Sequence, residues 1–289
     1  MFDVPGQFLW QSFINGLCLG WIYILVAVGL SLIFGIMNIL QFSHGEVYML
    51  GAYFIYFFSV VHGLSYFVAM LISAVLVLVL GLILERFFFR PLAREPMGTL
   101  VVALGLMLAL QAIVSVGFGI TQKAIPSFAP NPTEVLGMTI GSDRLIAVGI
   151  SIAMVLFLYL FLKRTKQGQA LTAAAQHREA SLLMGINPNR MSATAMAIGS
   201  ALAAIAGGLM GVISQISPFM GGPALIKGLI VIIVGGMGSL LGVVVGGLIM
   251  GLIDGIFPVI FNPAMAAIAP LIIVCIILIF RPQGIFGRE

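Results

Sequence analysis

Charge is what this sequence lacks most. Asp, Glu, Lys and Arg make up 8% of it, against about a quarter in an ordinary soluble domain, too little to cover a water-facing surface. Cysteine is also scarce. Cys18 and Cys275 stand far apart in apolar segments, so neither a disulfide framework nor a zinc-ligand spacing is supported. No GxxxxGK[ST] run occurs, which excludes ATP hydrolysis on a phosphate-cradling loop of this chain. The inside and outside loops hold no nucleophile with a base and no metal-ligand set at useful spacing, which argues against an enzyme. Met1-Phe2-Asp3 carries no basic n-region and no small-residue cleavage site precedes Trp21. The first apolar run is therefore expected to stay as a membrane span.

What is abundant is apolar length. Hydrophobic residues reach 61% and the mean hydropathy is +1.21. Apolar runs of about 18 residues or more, enough to cross a hydrocarbon core of about 30 Å, recur along the whole chain. Stretches such as Leu145 to Leu162 are apolar on every face, whereas barrel strands would alternate. The fold class is therefore all-α: a polytopic transmembrane bundle of about 8–10 spans, with residues 1–289 forming a single domain. The runs lie near 9–36, 47–61, 66–84, 99–118, 145–162, 191–214, 225–242, 243–261 and 264–280.

The net charge of +4 does not point to nucleic acid, because the basic residues cluster at the ends of apolar runs. The clusters are Arg86, Arg90 and Arg94; then Lys163, Arg164, Lys166, Arg178 and Arg190; then Arg281 and Arg288. Retention of Lys and Arg on the cytoplasmic side places all three inside. Counting back through three spans from Arg86 puts the amino terminus outside. The longest outside connection, Gly119 to Arg144, reads as a turn-rich loop containing Pro126, Pro130 and Pro132, with Lys123, Glu134, Asp143 and Arg144 nearly balanced in charge. The longest inside connection runs from Lys163 to Arg190.

Two places interrupt the apolar pattern within the membrane. One is the stretch from Asn38 to Glu46, and the other runs from Ser217 to Pro223 and on to Lys227. Interruptions in corresponding places of two halves are expected of broken helices lining a substrate path, although no sequence identity joins the halves. Gln41, Ser43, His44, Glu46, Gly221, Gly222 and Lys227 are thus candidates for a path or gate. The alternative makes the first four a hydrogen-bonded latch or an interfacial cap, since ionisable groups in a membrane must be paired or wet. Lys227 and Asp254 are the remaining charges in or near spans, and helical geometry alone does not say whether they meet. Asp254 has an alternative place at an interface near Pro258.

In the inside connection, residues 168–185 read as one short helix. Leu171, Ala174, Ala175, Arg178 and Leu182 recur on one face, Gly185 is a plausible end, and Pro188 follows. Such a helix fits either a partner's groove or the lipid headgroup layer, the latter favoured by Lys163, Arg164 and Lys166. The glycines at 235, 236 and 238, with Gly242, Gly246, Gly247 and Gly251, read as close helix packing by small residues.

Several stretches together carry a family likeness: Asn15-Gly16 with Gly20, Phe42-Ser43-His44-Gly45-Glu46 running on to Gly51-Ala52-Tyr53, and Glu85-Arg86 with Arg90-Pro91. Others are Ser181 to Asn187, Gly235-Gly236-Met237-Gly238-Ser239, and the closing Arg281-Pro282-Gln283-Gly284-Ile285-Phe286-Gly287. The chain resembles the permease subunits of the branched-chain amino acid ABC importers, the Liv-type family, over almost its whole length. The resemblance implies a multi-pass subunit of the bacterial cytoplasmic (inner) membrane, paired with a homologous second permease. It also implies two ABC ATPase subunits, which hold ATP and Mg, and a periplasmic or extracellular solute-binding protein; no cofactor is implied in this chain. The likeness makes residues 173–185 a coupling helix, with Ala173, Ala174, Ala175, Arg178, Glu179, Leu182 and Gly185 at the ATPase. One departure is that Ala173-Ala174-Ala175-Gln176-His177 lacks the acidic residue of the Glu-Ala-Ala form. Relatives also handle amides, urea and small carboxylates. The rival from another class is a secondary transporter or channel in which His44 and Glu46 carry protons.

Overall fold

Inside a bilayer every backbone N–H and C=O must be satisfied by the chain itself, so uniformly apolar runs fold as helices. The computed structural model describes residues 6–93, 95–135, 138–236, 238–261, 263–281 and 283–286. Arg94, Met237, Pro282, Gly287, Arg288 and the side chain of Arg178, all named above, lie outside the described residues. The helices are α1 (Gly6–Met37), α2 (His44–Tyr56), α3 (Tyr66–Leu84), α4 (Pro96–Phe118), α5 (Ser142–Arg164), α6 (Lys166–Gln176), α7 (Arg178–Leu183), α8 (Pro188–Ile213), α9 (Gly221–Gly235), α10 (Leu240–Ile260) and α11 (Pro263–Phe280). Residues 57–61 and 85–89 extend α2 and α3 by a wider π turn.

Among the described residues, six helices are long and apolar enough to cross a membrane: α1, α3, α4, α5, α8 and α10. α9 and α11 are shorter apolar helices. The nine apolar runs of the sequence each correspond to one of these eight helices or to α2 with its π turn, and the fold is a helical polytopic bundle. α1 and α8 form its centre, while α3, α4 and α5 form its outside. Val116, Val101, Phe87, Phe157 and Ile113 are all largely exposed there, as expected of side chains that face lipid.

The centre is held by glycine. A Cβ on Gly16 would lie 2.7 Å from the Gly251 carbonyl oxygen, and one on Gly251 only 2.3 Å from the Gly20 Cα. α1 and α10 therefore pack backbone to backbone, the small-residue mode of membrane helices. α8 meets α1 in the same way through Gly199 and Gly29, and meets α2 where Gly207 faces the Tyr48 carbonyl.

These contacts also fix the direction of the helices. The last turns of α1, α3, α5 and α9 and the first turns of α8 and α10 share one end, which carries the described residues of the basic clusters. Asn15, Arg144 and the loop after α4 share the other end, where Arg144 bonds to Asn15.

Four boundaries differ from the sequence reading. Residues 168–185 are two helices, because the chain turns at His177, with φ −146°. The polar insert is shorter than its composition: residues 38–43 are non-helical, and His44 and Glu46 already belong to α2. The break between α9 and α10 falls at residues 236–239, not at 242/243. Gly236 and Gly238 adopt φ of +96° and +85° there, and the Ser239 hydroxyl accepts the Gly242 N–H at 3.1 Å to start α10. The outside loop contains a short hairpin, β1 (Pro132–Val135) with β2 (Met138–Gly141), and Asp143 and Arg144 lie in the first turn of α5.

At the end of α3, Arg90 donates to both oxygens of Glu85, at 3.1 and 2.7 Å, and the Glu85 side chain is 1% exposed. Removing one partner of such a pair strands a buried charge. Arg90→Met is expected to lower stability by about 3 kcal/mol, and Arg86→Met, at an exposed position, by no more than about 0.5 kcal/mol. Unfolding curves in detergent check both.

Candidate functional site

α1 ends at Met37, and Asn38 takes φ +56°, turning the chain back into the bundle. The return is short. By His44 the chain has climbed alongside α1 again, since a Cβ on Gly29 would lie 3.4 Å from the His44 ring. The His44 N–H bonds to the Gln41 carbonyl at 3.1 Å, and the Ser43 carbonyl accepts from Glu46 and Val47, starting α2 in mid-bundle. α8 and α9 repeat this with the opposite polarity. α8 ends at Ile213 near the outer loop, the Ser214 to Met220 stretch re-enters, and α9 starts at Gly221.

The two half-helices meet start to start. A Cβ on Gly45 would lie 2.2 Å from the Gly221 carbonyl oxygen, and one on Gly221 would lie 2.6 Å from that of Gly45. The same Cβ would be 2.8 Å from the Glu46 carboxyl carbon. Glu46 thus lies in the first turn of α2 and against the first residue of α9, where two positive helix ends converge on it. Gln41, Ser43, His44 and Glu46 are each no more than 1% exposed. Both Gln41 amide atoms, the Ser43 hydroxyl, both His44 ring nitrogens and Glu46 Oε2 have no hydrogen-bond partner among the described residues. The His44 ring is directed at the Val26 backbone without reaching hydrogen-bond geometry.

Lys227 is elsewhere. It donates to Asp254 Oδ2 of α10 and, at 2.9 Å, to the Tyr23 hydroxyl of α1, which itself donates to Asp254 Oδ2 at 2.7 Å. The structure therefore divides the seven path candidates. Gln41, Ser43, His44, Glu46 and Gly221 form a sealed junction, Gly222 lies beside it with nothing within 4 Å of a Cβ, and Lys227 belongs to a second, partly buried cluster. Asp254 meets Lys227 rather than standing alone near Pro258. Tyr23 was missed, because nothing in an apolar run distinguishes one tyrosine from another.

At the basic end, the Thr165 hydroxyl accepts the Gly168 N–H at 2.9 Å and α6 folds back on α5. Leu171 and Ala174 turn inward, Leu171 packing with Ile36 and Ala195. Beyond His177 the exposure reverses: Leu182, Leu183 and Met184 are 52%, 90% and 75% exposed. Gly185 then closes α7 with φ +80°. The single apolar face drawn from Leu171 to Leu182 is thus split by the turn into an inward part, Leu171 and Ala174, and an exposed tip, and Ala175 is itself exposed. Glu179 is exposed on α7. A mainly apolar cavity of about 680 Å³ lies between α1, α5 and α6, with Ala173 and Ala175 in its wall.

The chain matches, over residues 12–280, the protein family described as branched-chain amino acid transport system / permease component. It belongs to that family. It is 31% identical to the high-affinity branched-chain amino acid transport system permease protein BraD of Pseudomonas aeruginosa, over 96% of this chain and 95% of that protein. It is 29% identical to LivH of Escherichia coli, over 98% and 97%, and 26% identical to LivM of the same organism, over 91% and 67%. Those two are both named as permease proteins of a high-affinity branched-chain amino acid transport system. A solved structure, PsaBC from Streptococcus pneumoniae in complex with Fab, superposes with a TM-score of 0.50 at 12% identity, covering 99% of this chain and 94% of the other. The family is one of transport permeases, not enzymes, and this member is a multi-pass membrane protein.

The junction generates a direct test. Gly45→Val places side-chain atoms inside the backbone of α9 and is expected to cost about 3 kcal/mol by overpacking. Gly105→Ala, inside α4 with nothing within 4 Å, is expected to keep or raise stability, by up to about 1 kcal/mol. Thermal unfolding in detergent distinguishes them.

Proposed function

We propose that this chain is the membrane-spanning subunit of an ATP-driven importer that carries branched-chain or related amino acids across the bacterial cytoplasmic membrane. The observation that carries this reading is the similarity, over nearly all of both chains, to permeases named for that transport. On this reading a homologous second permease completes the membrane unit, as the likeness to both LivH and LivM supports. Two ATPase subunits holding ATP and Mg dock at the basic end, and an external solute-binding protein delivers the substrate to the other.

The docking element is the connection from Thr165 to Asn187. A coupling element must be contacted differently in the two ATPase states, or nothing is transmitted. Leu182, Leu183 and Met184 form an exposed apolar tip on a six-residue helix, of a size that enters a protein groove. Ala173, Ala174 and Ala175 join that tip to α1 through α6, and Arg178, Glu179 and Gly185 flank it. On this reading the Gly45–Gly221 contact, with Glu46 against it, holds both half-helices in register, and Gln41, Ser43 and His44 are buried beside it.

The complete complex in proteoliposomes is expected to take up leucine only with ATP inside. Leu183→Asp should reduce that uptake at least tenfold while stability moves by no more than about 0.5 kcal/mol, as for a surface position. Unchanged uptake would remove the docking assignment. Uptake driven by a pH gradient without ATPase subunits would overturn the importer reading itself.

A further inference from the structure

We propose that Lys227 and Asp254, braced by Tyr23, form a binding site for the zwitterionic head of an α-amino acid midway through the bundle. The inference rests on the importer reading above and adds the site and the chemistry of recognition.

Depth is the first step. Tyr23 stands 17 residues after Gly6 and 14 before Met37, near the middle of α1. Lys227 lies six residues beyond Gly221 in α9, and its side chain leans back toward that helix start, as helical side chains do. Asp254 lies 14 residues into α10 and six before its end, so all three groups lie within the bundle. A charge at such depth faces protein, a paired group or water, not hydrocarbon. Yet the Lys227 side chain is 32% exposed and that of Asp254 12%. Next to Lys227, Ile226 is 53% exposed, and Pro223 is exposed one turn earlier.

Valence is the second step. An ammonium has three donors, and Lys227 commits one to Asp254 and one to Tyr23. Asp254 receives both of its partners on Oδ2, and Oδ1 takes no hydrogen bond among the described residues. One N–H and one carboxylate oxygen are thus unspent, side by side, on a partly exposed face. An α-carboxylate complements the first and an α-ammonium the second, with charge-assisted bonds in each case. The Lys227 ammonium also lies 4.8 Å from the centre of the Tyr23 ring, which holds the cation in place when Asp254 turns toward a ligand. Exposed Ile226 and Pro223 offer an apolar wall to an aliphatic side chain. A site of this kind favours zwitterions over molecules with one charge, because only a zwitterion makes both charge-assisted bonds.

The test uses Ile226→Cys, beside the ion pair but outside it, in the full transporter with the exposed Cys275 replaced by alanine. Labelling by a charged, membrane-impermeant thiol reagent is measured in the absence of the binding protein. The expected result is labelling that millimolar L-leucine slows at least fivefold, and that 4-methylpentanoate and isoamylamine do not slow. Asp254→Asn should raise the leucine concentration needed at least tenfold, and Asp254→Glu should restore it. No labelling of an active transporter means a lipid-facing or subunit-covered surface and overturns the site. Labelling that leucine does not slow, or that all three compounds slow alike, overturns it too. ATP-driven uptake on the same preparation separates the two readings. Uptake without protection removes the site alone, and protection without uptake removes the importer reading alone.

Discussion

Gly45 and Gly221 touch backbone to backbone, and the course of both broken helices depends on that contact. With the starts of α2 and α9 pressed together, the segments 38–43 and 214–220 have to enter the bundle from opposite ends. The two backbones could not come this close if Gly45 and Gly221 carried side chains. The contact also sets the electrostatics. The positive ends of two helix dipoles converge there, and the acidic Glu46 is the residue placed between them. A carboxylate offsets that positive field, whereas a second cation would oppose it. Lys227 is six residues away along α9, where it has Asp254.

The glycine seams do the same work at larger scale. A bilayer offers no hydrophobic drive for helices to associate, so contact must come from packing. α1 meets α10 through Gly16 and Gly20 against Gly247 and Gly251, and meets α8 through Gly29 against Gly199. These close approaches leave α1 mostly buried, while α4 and α5 keep most of their surface for lipid. Close approach has a further result: it brings Tyr23, Lys227 and Asp254, on three different helices, within hydrogen-bond reach of one another.

Much of this was legible in the sequence, and the parts that were not share a cause. Apolar length revealed the helices, because span length is set by the bilayer rather than by context. The glycines of α10 announced close packing, but not that α1 was the partner, since a small-residue stripe states a distance and not an address. The insert from Asn38 to Glu46 was recognised as a break, yet composition placed His44 and Glu46 in it, whereas helix α2 begins at His44. A polar residue in a first turn and one in a loop have the same composition. For the same reason the tip at Leu182 was read as continuous with Leu171: a helical period continues through His177 on paper, and only the backbone turn there separates the inward part from the exposed tip. Lys227 and Asp254 were visible as charges. Their meeting was not, because they lie on different helices whose rotation is fixed by the glycine seams.

Those seams also connect the two ends of the proposed mechanism. The tip of α7 continues into α6, whose Leu171 packs with Ile36 of α1. α1 then runs unbroken through Tyr23 to the far end, a rod of 32 residues, or about 48 Å. A load on the tip therefore reaches Tyr23 without crossing a loop other than the turn at His177. The cavity of about 680 Å³ between α1, α5 and α6 leaves that side of α1 less tightly packed, whereas filled interiors transmit strain rather than absorb it. Lys227 rides on α9, whereas the glycine seam ties Asp254 of α10 to α1, so an axial shift of α1 changes the distance from Tyr23 to Lys227. On the importer reading, that change loosens or tightens the brace on the ion pair, and occupancy of the middle of the bundle becomes sensitive to events at its basic end.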